Sequence, residues 1–142
     1  MTSDDAVDIK EVVFLSRRVE EDYLSQPLDV VEAFDARITA VQNLPRLPAR
    51  HHQALSGNAK GIEELRLFHD SNTYRTYYLA NYDEVVILID AGMKKLKKGS
   101  EIPAEQVARL LERKRQADQF YAENRTLLRE RYNARRKRRE LE

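Results

Sequence analysis

Residues 74–98 read YRTYYLANYDEVVILIDAGMKKLKK, and no other stretch narrows the possible folds as much. Val85 to Ile89 is apolar without interruption, the pattern of a strand covered on both faces. Before it comes a segment rich in Tyr and carrying Arg75, joined to it by the short link ANYD. After it come four lysines in five positions. A buried strand with a cationic exit, beside an aromatic strand bearing an arginine, is the outline of a phosphate-binding sheet.

The remaining elements are set by local pattern. Residues 9–15 are rich in β-branched and aromatic side chains, which predicts a strand. Ser16 suits a helix N-cap, and 17–24 and 27–43 read as two helices. In the second, Val31, Phe34, Ile38 and Val41 recur at helical spacing and share one face. Residues 45–61 are irregular, bracketed by Pro and Gly. Strands are expected over 62–68, 74–79 and 84–91, antiparallel because the links HDSNT and ANYD are short. Gly99 and Pro103 bracket a turn, and Ala104 opens a long helix. Its second half outruns one small sheet, so it packs elsewhere or projects into solvent. The expected fold class is α+β. A small, mainly antiparallel sheet carries an N-terminal helical hairpin and a long C-terminal helix, with the helices on one side. One domain is expected over 1–142, with 121–142 as a basic helical extension.

Composition removes several function classes. The chain has 142 residues and no cysteine, so it offers neither disulfides nor thiolate ligands. The acidic start MTSDDAVDIK is no signal peptide, and no apolar run approaches the roughly 20 residues of a membrane span. A cytoplasmic protein is expected, with no membrane partner. The histidines are His51, His52 and His69, and none has a ligand spacing with a carboxylate. With four glycines there is no phosphate-cradling glycine loop. Neither a metal nor another cofactor is expected. The formal net charge of +1 hides an asymmetry: residues 129–142 hold seven basic groups against three acids. That asymmetry points to a local anionic partner.

Cations, aromatics and hydroxyls remain. Strand alternation puts Arg66 on one face with Glu64 and Phe68. Arg75 shares its face with Tyr77, while Tyr74, Thr76 and Tyr78 take the other. Guanidiniums bind phosphate oxygens in a planar, bidentate way, and tyrosine rings stack on unpaired bases. Crowded lysines lower one another's pKa and so approach acid–base work near neutrality. These are the parts of a metal-independent RNA-cleaving site. The bland alternative is also open. Arg66 pairs with Glu63, Glu64 or Asp70, the lysine run is a solvated turn, and the basic tail simply suits a helix C-terminus.

The run ELRLFHDSNTYRTYYLANYDEVVILIDAGMKKLKK, followed by a helix rich in Ala, Arg and Glu, resembles the RelE/HigB superfamily of toxins from bacterial toxin–antitoxin modules. It looks closest to the phage-derived HigB-like branch. The resemblance covers about residues 9–120, and its specific part is 63–98. It implies a microbial-RNase-like fold and an endoribonuclease that cuts mRNA at the ribosome without metal. It also implies neutralisation by an antitoxin with a helix-turn-helix domain. By that resemblance Arg66, Arg75, Lys94 and Lys95 are catalytic, and Lys97 and Lys98 support RNA binding. Tyr77 and Tyr78 are expected to bind RNA through their rings. The chain departs from the pattern at Asp90, Ala91 and Gly92, where the branch often has HGF. The aspartate is then either a base of its own or a partner that quenches a lysine. Two other readings are a non-catalytic RNA- or ribosome-binding protein of the same fold, and an interaction protein that oligomerises through its long helix. Lys114 and Asn124 interrupt the heptad seam of the last.

Overall fold

The computed structural model describes residues 9–43, 52–94 and 102–141. Strand β1 (Glu11–Phe14) is followed by helices α1 (Arg17–Leu24) and α2 (Leu28–Asn43). Strands β2 (His52–Ala54), β3 (Glu63–His69), β4 (Asn72–Leu79) and β5 (Val85–Lys94) come next, then helix α3 (Ala104–Leu141). The sheet order is β1-β5-β4-β3-β2, antiparallel except for the parallel β1–β5 pair. The expected α+β class, hairpin and long helix are all present.

Local chemistry explains the elements. The Ser16 hydroxyl accepts from the Val19 amide at 3.3 Å and starts α1. In α2, Val30, Val31, Phe34, Ile38 and Val41 are buried along one stripe. The β3–β4 connection is a two-residue turn in which Asp70 and Ser71 both hold positive φ, which matches the twist of a hairpin. The Pro103 carbonyl accepts from the Gln106 and Val107 amides and opens α3.

Three expectations change. The helices lie on both faces of the sheet. Val19, Tyr23, Phe34 and Ile38 of α1 and α2 pack on Leu65, Tyr78, Val86 and Leu88. Leu110, Ala117 and Leu128 of α3 pack on Tyr77, Leu79, Val85, Ile87 and Ile89. The alternation of β5 made this necessary, because both of its faces are apolar and each needs a cover. Second, β5 does not end at Ala91 but runs on to Lys94, because Thr73, Tyr74 and Arg75 continue the ladder opposite Lys94, Met93 and Gly92. Third, the irregular stretch contains the edge strand β2 and a single 3-10 turn, Gly57–Ala59.

Helix α3 has 38 residues, about 57 Å of length. Beyond Leu128, its second half packs elsewhere than the sheet core, as one of the two expectations had it. It lies along an acidic rim. Tyr121 donates to Glu84 at 2.6 Å, and Arg129 pairs with the same buried carboxylate at 3.1 Å. Arg131 and Arg135 reach Glu11 at 3.6 and 3.4 Å, and Arg139 donates to Asn43 at 2.7 Å. Part of the basic tail is therefore a brace between α3 and the start of β1. No helix among the described residues is long and apolar enough to cross a membrane.

Burial also sets a pH response. The phenols of Tyr23, Tyr77, Tyr78 and Tyr82 are all pushed above the usual value, with desolvation the first cause of each. Neighbouring carboxylates add to it: Asp35, Glu64, Glu63 and Asp118 respectively. A folded-state pKa raised above the unfolded one gives stability that is complete below about pH 10 and lost above it. Lys10, lowered by burial, works in the opposite sense as a single group. The urea midpoint is expected to hold to about pH 9.5 and fall by pH 11. A midpoint that stays flat or rises across that interval contradicts this account.

Candidate functional site

The α3-side face of the sheet carries two polar rows. Pairing aligns Gln53, Glu64, Tyr77 and Asp90 across β2, β3, β4 and β5. The next row aligns Arg66, Arg75 and Gly92. The faces expected for Arg66 with Glu64, and for Arg75 with Tyr77, are thus the observed ones. Arg66 and Arg75 are direct cross-strand neighbours.

Glu64 is the centre of the arrangement. Its side chain is fully buried, and its carboxylate accepts from Arg66 Nε. Arg75 Nε lies 3.8 Å from the other carboxylate oxygen. Arg75 is only 4% exposed, and its Nε, Glu64 Oε2 and the Tyr77 hydroxyl have no hydrogen-bond partner among the described residues. Arg66 is the outermost of the group. Its side chain is 30% exposed and also donates from Nη2 to Gln53 at 2.6 Å. From the far side of the sheet, Arg37 of α2 donates to the Arg66 carbonyl at 2.8 Å and fixes the strand there. Of the carboxylates weighed as partners for Arg66, Glu64 is the one it takes, while Asp70 lies 3.3 Å from His69.

Such a cluster can do two things. Fixed guanidiniums present an anion site, and the surrounding low-dielectric interior strengthens their field. The carboxylate between them is a proton acceptor once a competing anion draws Arg66 away. Gly92, beside Arg75, keeps the face open, because a side-chain carbon built there meets nothing within 4 Å. Phe68, on the same face of β3 one row further on, is 69% exposed and uncovered by α3.

Asp90 is paired with helix α3. A register shift between Tyr77 and Tyr78 sets Tyr77 opposite Asp90 but Tyr78 opposite Leu88, so Ile89 is extra. Asp90 therefore faces α3, where Arg109 and Arg113 each reach it at 3.0 Å. Arg113 also donates to the Ile89 carbonyl at 2.9 Å. The aspartate is the anchor of α3 on β5, and it places the half-exposed Arg109 guanidinium at the rim of the site.

The other expected site residues divide. Tyr78 lies on the opposite face, 2% exposed in the core under α1 and α2. Tyr77 lies on the right face but is 1% exposed. Neither ring is a stacking platform in this structure, because alternation buries one on each side of a covered sheet. Lys94 is the last residue of β5, opposite Thr73 in the ladder. Lys95, Lys97 and Lys98 lie outside the described residues. Sequence reasoning missed Glu64 as the centre, although the ELR alternation already put it beside Arg66. It missed Arg109 and Arg113 outright, since nothing in their helical spacing marks them. Among the described residues no three His, Asp or Glu side chains gather as a metal site.

The model of the family described as "Phage derived protein Gp49-like (DUF891)" matches residues 21–115, from α1 through the Arg109–Arg113 clamp. That family is associated with RelE/HigB-like toxins. No curated protein matches the chain.

Proposed function

The chain belongs to the family of phage-derived Gp49-like proteins, and on that footing we propose that it is the toxin of a toxin–antitoxin module, an endoribonuclease that cuts mRNA at the ribosome. The observation that carries this reading is the cross-strand Arg66–Arg75 pair with Glu64 between the two guanidiniums. A phosphodiester arriving at the surface meets Arg66 first. Exchange of Glu64 for a phosphate oxygen draws Arg66 outward and frees the carboxylate. Glu64 then takes the proton of the 2′-hydroxyl, whose oxygen attacks phosphorus. Arg75, held beneath, stabilises the negative charge that builds on the phosphoryl oxygens. The bond from phosphorus to the 5′-oxygen breaks, and a cationic group of the Lys94–Lys95 pair protonates that oxygen. The products are a 2′,3′-cyclic phosphate and a 5′-hydroxyl. Lys97 and Lys98 hold the flanking phosphates, and a helix-turn-helix antitoxin neutralises the protein in the cytoplasm.

Induced expression is expected to arrest growth and to yield mRNA fragments with 5′-hydroxyl ends. Co-expression of a small helix-turn-helix protein encoded next door relieves the arrest. Growth without arrest, with intact mRNA, overturns the reading. One observation favours a second reading, RNA or ribosome binding without cleavage: Glu64 and Arg75 are almost wholly covered. Co-sedimentation with ribosomes that leaves their mRNA intact would select it.

A further inference from the structure

Between Arg125 and Leu141, α3 carries eight arginines and lysines against Glu130 and Glu140. The body accounts for some of them: Arg129, Arg131 and Arg135 have carboxylate partners, and Arg139 reaches Asn43. The helix dipole accounts for Arg138 in the last turn. Arg125, Arg136 and Lys137 answer to neither. They are exposed, and none has an ion-pair partner among the described residues.

Arg125, Arg129, Tyr132 and Arg136 succeed one another at steps of four, three and four residues. Those steps line up as a single stripe about 16 Å long on one flank of the helix. The guanidinium carbons of Arg129 and Arg136 lie 5.5 and 5.7 Å from the centre of the Tyr132 ring, both over it. The ring therefore holds the unpaired Arg136 in place beside Arg129, which Glu84 and Asp83 already engage, so less side-chain freedom is lost when Arg136 meets an anion. With both guanidiniums over it, the ring is not a free platform for an unpaired base. The stripe is built to meet phosphates and not bases. The exposed large apolar residues on this half of α3 are Leu127 and Leu141, too sparse to enter a bilayer.

We propose that this stripe, together with Lys137, is a docking surface for double-helical RNA. It begins about 18 Å along α3 from the Arg113 clamp and ends about 35 Å from it, by helical rise. The inference rests on the reading that the sheet face cuts RNA. The stripe holds a structured, backbone-recognised RNA, and a single strand enters at Arg66. Phosphate contacts of this kind are sequence-independent and steeply salt-dependent.

The test uses the full chain and a variant with Arg125→Gln, Arg136→Gln and Lys137→Gln. Binding to an RNA duplex of about 20 base pairs is monitored by fluorescence anisotropy over a salt series. The variant is expected to bind at least about tenfold more weakly at low salt, with a log–log salt slope shallower by about two to three. A companion with Arg125→Lys and Arg136→Lys keeps the charge and is expected to keep the slope. Circular dichroism of each variant confirms that α3 is intact. Duplex affinity and slope unchanged in the Gln variant overturn the proposal, as does parent protein that binds anionic lipid vesicles but not the duplex. Cleavage of a short single-stranded RNA, measured alongside, is expected to be equal in parent and Gln variant. If the parent binds the duplex but cuts nothing, the cleavage reading fails and the docking surface stands.

Discussion

Arg75→Ala is expected to slow RNA cleavage by about 10²–10³-fold, the usual loss when one preorganised donor to a developing charge is removed. Arg75 is nearly buried and lies beside the open space over Gly92, so it is a fixed donor next to room for a phosphate. The fold should tolerate the change. Glu64 keeps its bond from Arg66, so no carboxylate is left buried without a partner. Arg75→Lys keeps the charge but loses the planar fork, and an intermediate rate is expected. Single-turnover cleavage of a short RNA measures both variants, with urea denaturation as the control for folding. An Arg75→Ala rate within about twofold of the parent removes Arg75 from the chemistry.

Glu64→Ala acts first on stability. It leaves Arg75 almost completely buried with no carboxylate beside it and frees Arg66 to solvent. Breaking a buried ion pair from one side costs about 3–5 kcal/mol, because the remaining charge stays desolvated. Denaturant midpoints should therefore fall sharply. Adding Arg75→Met to Glu64→Ala should recover most of the loss, since a buried pair replaced by apolar volume is often neutral. Loss of stability in the single variant with no recovery in the double places the cost elsewhere, in packing against Tyr77. Glu64→Gln separates the two roles. It preserves shape and an acceptor for Arg66, so stability should change less while cleavage is lost with the proton acceptor.

The 74–98 stretch of the sequence held more of the fold than of the site. Val85 to Ile89 announced a strand covered twice, and the structure supplies α1 and α2 on one side and α3 on the other. Ser16, the Val31–Phe34–Ile38–Val41 stripe and the tight β3–β4 link are decisions between near neighbours, so local sequence was enough to read them. The pairing of Arg66 with Arg75 is one step less local, yet alternation plus a short turn nearly forces it.

What the tertiary structure decided depends on contacts distant in sequence. A single extra residue at Ile89 turns Asp90 toward α3 and so commits it to Arg109 and Arg113. Without that shift, alternation would have sent the aspartate to the opposite core. Nothing in DAG encodes the shift, because it arises from fitting β5 against β4. Likewise the basic tail reads as one cationic block until Glu11 and Glu84 take part of it, and only then do Arg125, Arg136 and Lys137 stand apart. The sequence by itself determined which residues are cations, which face each strand residue takes and where the helices start. The tertiary structure decided which of those cations are already neutralised, because ion pairing depends on a few ångströms between elements that no local pattern fixes.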